Sequence, residues 1–190
     1  MEAAICCFDE LGYEQTSFSR IAEIAGTSKS LVTYFFPTKR ALAGTIVDLA
    51  YPGGVFMGAK RTENDPLDAI VSVAEQVAES ILHNPLARVA LMLVEQQSSA
   101  PHLAAGKFSG WIARLTDYLE EAQSKGLVSS RIDASREAKY LLCGVVGLVE
   151  LARGTDAYLR LVEDAVQLTR DRLDRVARRK RCDPLRGSTA

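Results

Sequence analysis

Apolar residues recur at every third or fourth position through almost the whole chain, and each run closes on a glycine or proline. No segment alternates apolar and polar residues as a half-buried strand does. An all-α fold is therefore expected. Ala4, Ile5, Phe8 and Leu11 mark a first helix from Glu2, with Gly12 as its stop. Phe18, Ile21, Ala22 and Ala25 mark a second, capped by Thr16 or Ser17 and ended by Gly26. A third, short helix is expected from Ser28 to Phe36, and Pro37-Thr38 opens a fourth that reaches Ala50. The strongest break on the chain is Tyr51-Pro52-Gly53-Gly54. Beyond it, longer helices are expected over Pro66 to His83, Pro85 to Gln97, Lys107 to Lys125, Ala134 to Arg153, and from Asp156 to Arg179, with a loop from Ser98 to Gly106. That gives about nine helices in two groups. Residues 1–45 would form a three-helix N-terminal head, residues 46–181 a larger helical body, and residues 182–190 a disordered tail.

The rest of the composition excludes more than it identifies. No apolar run approaches the roughly 20 residues that span a bilayer. Met1 leads directly into an amphipathic segment rather than a charged and then apolar leader, which reads as a cytoplasmic protein with no membrane partner. Cys6, Cys7, Cys143, Cys182, His83 and His102 show no metal-ligand spacing, so neither metal nor cofactor is expected. The histidines also lack an acid, base or nucleophile at helical spacing, which argues against an enzyme. Net charge is −1. The head sets Arg20, Lys29, Lys39 and Arg40 against Glu2, Asp9, Glu10, Glu14 and Glu23, so it lacks the basic footprint common among nucleic-acid binders.

Spacing in the head nevertheless meets the demands of a helix-turn-helix. Two crossing helices need a small residue at the crossing, and the turn four residues later favours a glycine that tolerates positive φ. Ala22 and Gly26 stand in that relation, and Ile21, Ala25, Val32 and Phe35 are expected to fill the inner faces. The same register turns Ser28, Lys29, Ser30, Thr33 and Tyr34 outward. Hydroxyls and a cation are what phosphate contact and base-edge reading require. A merely solvated face more often carries Glu, Lys and Gln.

The stretch Phe8 to Leu42, FDELGYEQTSFSRIAEIAGTSKSLVTYFFPTKRAL, resembles the signature of the tetracycline-repressor (TetR) family. The resemblance implies a dimer whose subunits each carry a three-helix DNA-binding head, a connecting fourth helix and a ligand-binding body. Carried over by position, it implies that Thr16 and Ser17 cap the second helix against a phosphate. Ser28, Lys29 and Ser30 would open the recognition helix, and Lys39 would hold the backbone at the start of the fourth. This chain has Ser30 and Thr33 where the family has Gly and Tyr, with a Tyr one residue later at Tyr34. The resemblance also implies basic residues ahead of the first helix.

Two heads would read successive major-groove half-sites about 34 Å apart in a near-palindromic operator. Leu141, Leu142, Val145, Val146, Val149 and Leu151 make Tyr140 to Ala152 apolar almost all round, which implies core on one side and a partner subunit on the other. Leu159, Val162, Val166, Leu168 and Leu173 continue the pattern, and Gly144 and Gly147 would permit close approach. The dimer is therefore expected to form through the last two helices.

A ligand cavity between the helices of the body is expected. Its candidate lining is Tyr51, Phe56, Leu93, Val94, Phe108, Trp111, Ile112, Leu115, Cys143 and Val146. The set calls for a small, largely apolar, uncharged ligand. Asn84-Pro85-Leu86-Ala87-Arg88, Val94-Glu95, Phe108-Ser109-Gly110-Trp111, Glu121 to Gly126 and Ile132-Asp133-Ala134 resemble the γ-butyrolactone autoregulator receptors, hormone-responsive repressors of antibiotic biosynthesis. That resemblance implies Trp111 over the ligand, a hydroxyl from Tyr51, and one donor fewer at Phe108, a position often held by Tyr. The alternative is a helical small-molecule-binding protein without sequence-specific DNA binding.

Overall fold

The computed structural model describes residues 1–52, 61–95, 107–153 and 155–177. Nine α-helices follow one another there: α1 Glu2–Gln15, α2 Phe18–Ile24, α3 Lys29–Phe35, α4 Lys39–Ala50, α5 Pro66–His83, α6 Pro85–Glu95, α7 Lys107–Ser124, α8 Ala134–Ala152 and α9 Leu161–Val176. A 3-10 turn, Asp156–Arg160, leads into α9. No strand occurs among the described residues; one antiparallel bridge joins Val128 and Ala177.

Local chemistry explains most helix ends. Ser17, Ser28, Thr38, Asp65 and Asp133 each accept a backbone N–H from the first turn of their helix. Pro66 follows Asp65 in the first turn of α5, where a missing N–H costs nothing. Two helices end in the same hydrogen-bonded reversal. After α2, Gly26 N–H donates to Glu23 O at 3.1 Å and Thr27 N–H to Ala22 O at 2.9 Å. After α7, Gly126 N–H donates to Gln123 O and Leu127 N–H to Ala122 O, both at 2.9 Å. That motif needs a left-handed residue, and φ is +61° at Gly26 and +71° at Gly126.

Two ends differ from expectation. α1 does not stop at Gly12. The chain swings through φ 73°, ψ 175° there and takes one further turn to Gln15. The last helix stops at Val176, short of Arg179, because Ala177 turns extended to pair with Val128 and Ser129 N–H donates to Val176 O at 3.3 Å. The stretch 178–190 and the expected loop 98–106 lie outside the described residues.

The body is built from α5, α7, α8 and α9, with α5 against α9 and α7 against α8 as major contacts. Gly144 lets α9 in close, since a Cβ there would stand 2.7 Å from Leu168 Cδ2. Glu137 and Arg172 form a partly buried ion pair between α8 and α9, and the guanidinium also lies 4.7 Å from the Tyr140 ring centre. α1 and α4 both pack on α6, so α6 is the element on which the head sits. One core runs without interruption from Phe8 and Ile46 to Leu119 and Leu161. No single described helix is long and apolar enough to cross a membrane.

Candidate DNA-binding head and ligand cavity

In the head, α2 and α3 pack against each other through Ile21, Ala22 and Val32. Ser17 Oγ accepts from Arg20 N–H and Ser28 Oγ from Leu31 N–H, both at 3.2 Å. The Ser28 and Ser30 hydroxyls lie 2.9 Å apart, a paired polar edge at the start of α3. Lys29, Ser30 and Tyr34 face solvent, Tyr34 with 78% of its surface exposed. Thr33 is half-buried, and its hydroxyl is turned back to the carbonyls of Lys29 and Ser30 at 3.1 Å. Arg20 is tied to Glu23 at 2.9 Å, which leaves Lys29 as the cation presented by α3.

Thr16 and Lys39 are not placed for DNA contact. Thr16 is 2% exposed, and its hydroxyl points inward to Cys7 O at 3.0 Å and Gly12 O at 2.7 Å. The cap of α2 is Ser17 alone. Lys39 Nζ donates to the carbonyls of Tyr13, Glu14 and Thr16 at 2.6, 3.1 and 3.1 Å and sits 4.5 Å from the Tyr13 ring centre. A cation suits the carbonyl-rich end of α1, where the helix dipole is negative. Lys39 thus staples α1 to the start of α4. The expected inner-face residues Ala25 and Phe35 are exposed as well, Phe35 by 64%. With Leu31 and Met1 they border an open apolar groove, because α2 buries only Ile21 and Ala22 and α3 only Val32.

In the body, Tyr51, Val77, Ile81, Leu91, Phe108, Trp111, Leu142, Val145, Val146 and Val149 line a cavity between α5, α6, α7, α8 and the end of α4. A second chamber, lined by Ile70, Val73, Ala74, Leu115, Leu141 and Thr169, lies across Trp111 and shares Leu142 and Val145 with the first. Free space is about 10 Å³ in the first and about 20 Å³ in the second, close to one water each. Trp111 is the partition between them. Tyr51 is buried and caps the C-terminus of α4, its N–H donating to Val47 O at 2.9 Å. Burial, with the nearby Glu95 carboxylate, pushes its phenol above the ordinary range, so it stays neutral and able to hydrogen-bond.

Residues 1–46 match the family described as bacterial regulatory proteins, tetR family. The A-factor receptor protein of Streptomyces griseus is 29% identical over 150 residues, which is 78% of this chain and 51% of that protein, so the match spans about half the length of this relative. The solved TetR-family protein CprB of S. coelicolor A3(2) is 27% identical, covers 89% of this chain and 95% of its own, and superposes with TM-score 0.68. A solved gamma-butyrolactone receptor (ArpA-like protein) is 26% identical, with coverages of 89% and 94% and TM-score 0.67. Residues 1–46 form a TetR-type head. The body resembles the γ-butyrolactone-receptor branch.

In the body the structure brings together Tyr51, Phe108, Trp111 and Val146 at the first chamber and Leu115 at the second. Leu93 and Val94 are buried but lie on neither wall, and Ile112 packs on the core from the side. Cys143 is a correction: it is exposed on the outer face of α8. Phe56 lies outside the described residues.

Two features were missed by sequence reasoning. Arg88 of α6 grips Asp9 of α1 with both arms, Nε to Oδ1 at 3.2 Å and Nη2 to Oδ2 at 2.7 Å. Glu95, at the end of α6, has both carboxyl oxygens buried and is ion-paired to Arg153. Arg153 Nη1 stands 3.0 Å from Glu95 but bonds Glu150 at 2.6 Å. Burial first, and then Glu150, pushes the Glu95 carboxyl up to about 8. An inward-facing carboxyl was not expected from the sequence; its only signal was a Glu closing an otherwise apolar helix.

Proposed function

We propose that this regulator is a dimeric repressor released from a near-palindromic operator by a small, largely apolar metabolite of the γ-butyrolactone type. The observation that carries this reading is the position of α4. Its 12 residues span about 18 Å, from the Lys39 staple in the head to Tyr51 in the cavity wall. A ligand that repacks around Tyr51 and Trp111 displaces one end of the rod whose other end holds the helix-turn-helix. Only a ligand with unequal affinity for the two head positions shifts the equilibrium.

Ser17, Ser28, Lys29, Ser30 and Tyr34 are the DNA-facing set, with the two serines presenting helix N-termini to phosphates. The ligand sites are Tyr51, Phe108, Trp111, Leu115 and Val146, and Trp111 must swing to join the two chambers before a hormone-sized molecule fits. The dimer face is the outer stripe of α8. There Tyr140, Cys143, Gly147 and Leu151 run at intervals of three and four, with half-buried Leu148 beside them and exposed Leu159 joining them. A Cβ on Gly147 would meet nothing within 4 Å, which leaves room for a second helix. The A-factor receptor likeness favours a lactone signal over a charged effector, in keeping with the apolar walls.

The test has two arms. Trp111 is the sole tryptophan, so its fluorescence reports the chamber directly. Titration with a panel of γ-butyrolactones is expected to give a saturable change in the wild type and none in Tyr51→Ala. Selection of genomic DNA fragments on the purified protein is expected to yield palindromes that the active lactone releases. A folded dimer that selects no DNA, or keeps its DNA in the presence of every lactone, would refute the proposal.

A further inference from the structure

The second grip between body and head lies away from α4. Four bonds from one guanidinium meet at Arg88: two to Asp9 on α1, and two from Nη1 to Ile81 O at 3.1 Å and Leu82 O at 3.0 Å, near the C-terminal end of α5. The body carbonyls therefore hold the guanidinium in place, and its remaining edge is aimed at the head. A bidentate fork has one geometry, which a lysine ammonium cannot reproduce. One turn along the same helix, Leu91 forms part of the cavity wall. Arg88 and Leu91 stand three residues apart on the rigid α6, so movement of the cavity wall moves the fork. The pair is 79 residues apart in sequence and is partly shielded from solvent, with side-chain exposures of 25% and 29%.

We infer that Arg88 is a positioning residue that couples the cavity to the DNA-binding head through its two-armed grip on Asp9, in parallel with α4. The inference rests on the ligand-released reading above and names a regulating contact for that same site. Without the grip, α1 rides on α6 through apolar packing alone, which slides more readily than a fork of directed bonds. The head then responds less to what happens at Leu91.

A double-mutant cycle tests this without operator or ligand. Leu91→Phe fills the chamber and stands in for a ligand. Hydrogen–deuterium exchange of α1 peptides is measured relative to α8 peptides in four backgrounds: wild type, Asp9→Asn, Arg88→Lys and the conservative Asp9→Glu. In wild type, Leu91→Phe is expected to change relative α1 exchange by about threefold or more, the scale of coupling between connected sites. The change is expected to fall to under half of that, on a logarithmic scale, in Asp9→Asn and Arg88→Lys, and to recover partly in Asp9→Glu. An equal response in every background, or no response in wild type, overturns the inference. The α8 and α9 peptides show in the same experiment whether each variant is folded. Failure of wild-type protein to bind DNA or answer lactones would instead overturn the proposed function and leave the result of the cycle unchanged.

Discussion

Replacing Lys39 by methionine separates a structural role from a DNA-binding one. The ammonium serves three carbonyls at the end of α1, and methionine keeps the stem over the Tyr13 ring while removing every donor. The Glu14 carbonyl is in contact with water and loses little. Those of Tyr13 and Thr16 are partly buried, and each lost charge-assisted bond there costs about 1–1.5 kcal/mol once solvent compensation is counted. The cation–π contact adds about 0.5 kcal/mol. Together the substitution destabilises the head by about 2.5–3.5 kcal/mol, a fall in melting temperature of roughly 5–14 °C for a chain of this size. Thermal unfolding followed by circular dichroism reads the first quantity. The second readout is the slope of log affinity for a selected DNA fragment against log salt, taken well below the transition. Each lost phosphate contact reduces that slope by about 0.9. Lys39→Met is expected to leave the slope unchanged, and Lys29→Met to reduce it by that amount. A Lys39→Met protein with wild-type stability and a shallower slope would refute the internal staple and return Lys39 to the DNA contacts.

Gly26→Ala meets no steric obstacle but places a Cβ at φ +61°, so a loss of about 1–2 kcal/mol in denaturant unfolding is expected from backbone strain alone. Glu95 holds a proton in the folded protein that the unfolded chain releases above its ordinary 4.5, so wild-type stability should fall as pH rises from there through about 8. Glu95→Gln should flatten that fall, and equal pH slopes in the two proteins would count against a buried carboxyl. Leu151→Arg sets a charge on the outer stripe of α8 at a residue 73% exposed in the single chain. It should convert the proposed dimer to monomers in sedimentation with little change in helicity, and an unaltered dimer would place the interface elsewhere.

How much of this could be read from the sequence follows from the range of the forces involved. Ser17, Ser28, Asp133 and Pro66 act within one helical turn, and Gly26 and Gly126 within six residues, so those helix ends follow from local chemistry. The TetR-type head was legible for the same reason. The direction of a side chain on a uniformly apolar helix was not. α8 carries apolar residues almost all round, and only packing against α7 and α9 decides that Val145 faces the cavity while Cys143 faces outward. Thr16 and Lys39 looked like DNA contacts because their partners, from four to 26 positions away, are backbone carbonyls that no pattern of side chains reveals. The Arg88–Asp9 grip lies further still from any local rule.

The two ends of α4 have surroundings of different kinds, and in the proposed mechanism this decides where a ligand acts. At the head end, Lys39 makes directed bonds to three carbonyls, which lose most of their strength over a fraction of an ångström. At the other end Tyr51 shares the cavity wall with Val77, Ile81, Leu91 and the α8 valines, and apolar walls of that kind repack at small cost when volume is conserved. Because only about 10 Å³ stands empty there, a ligand must displace side chains rather than fill a void. In the proposed mechanism the displaced volume passes to the C-terminal turn of α4 and the cavity face of α6, both of which border the chamber. The head, tied to both through directed bonds, then follows as a unit. Ligand affinity in such an arrangement is reduced by the fraction of molecules already open. A substitution that widens the chamber without touching the polar grips, such as Val145→Ala, is for that reason expected to tighten lactone binding while leaving the salt dependence of DNA binding as it was.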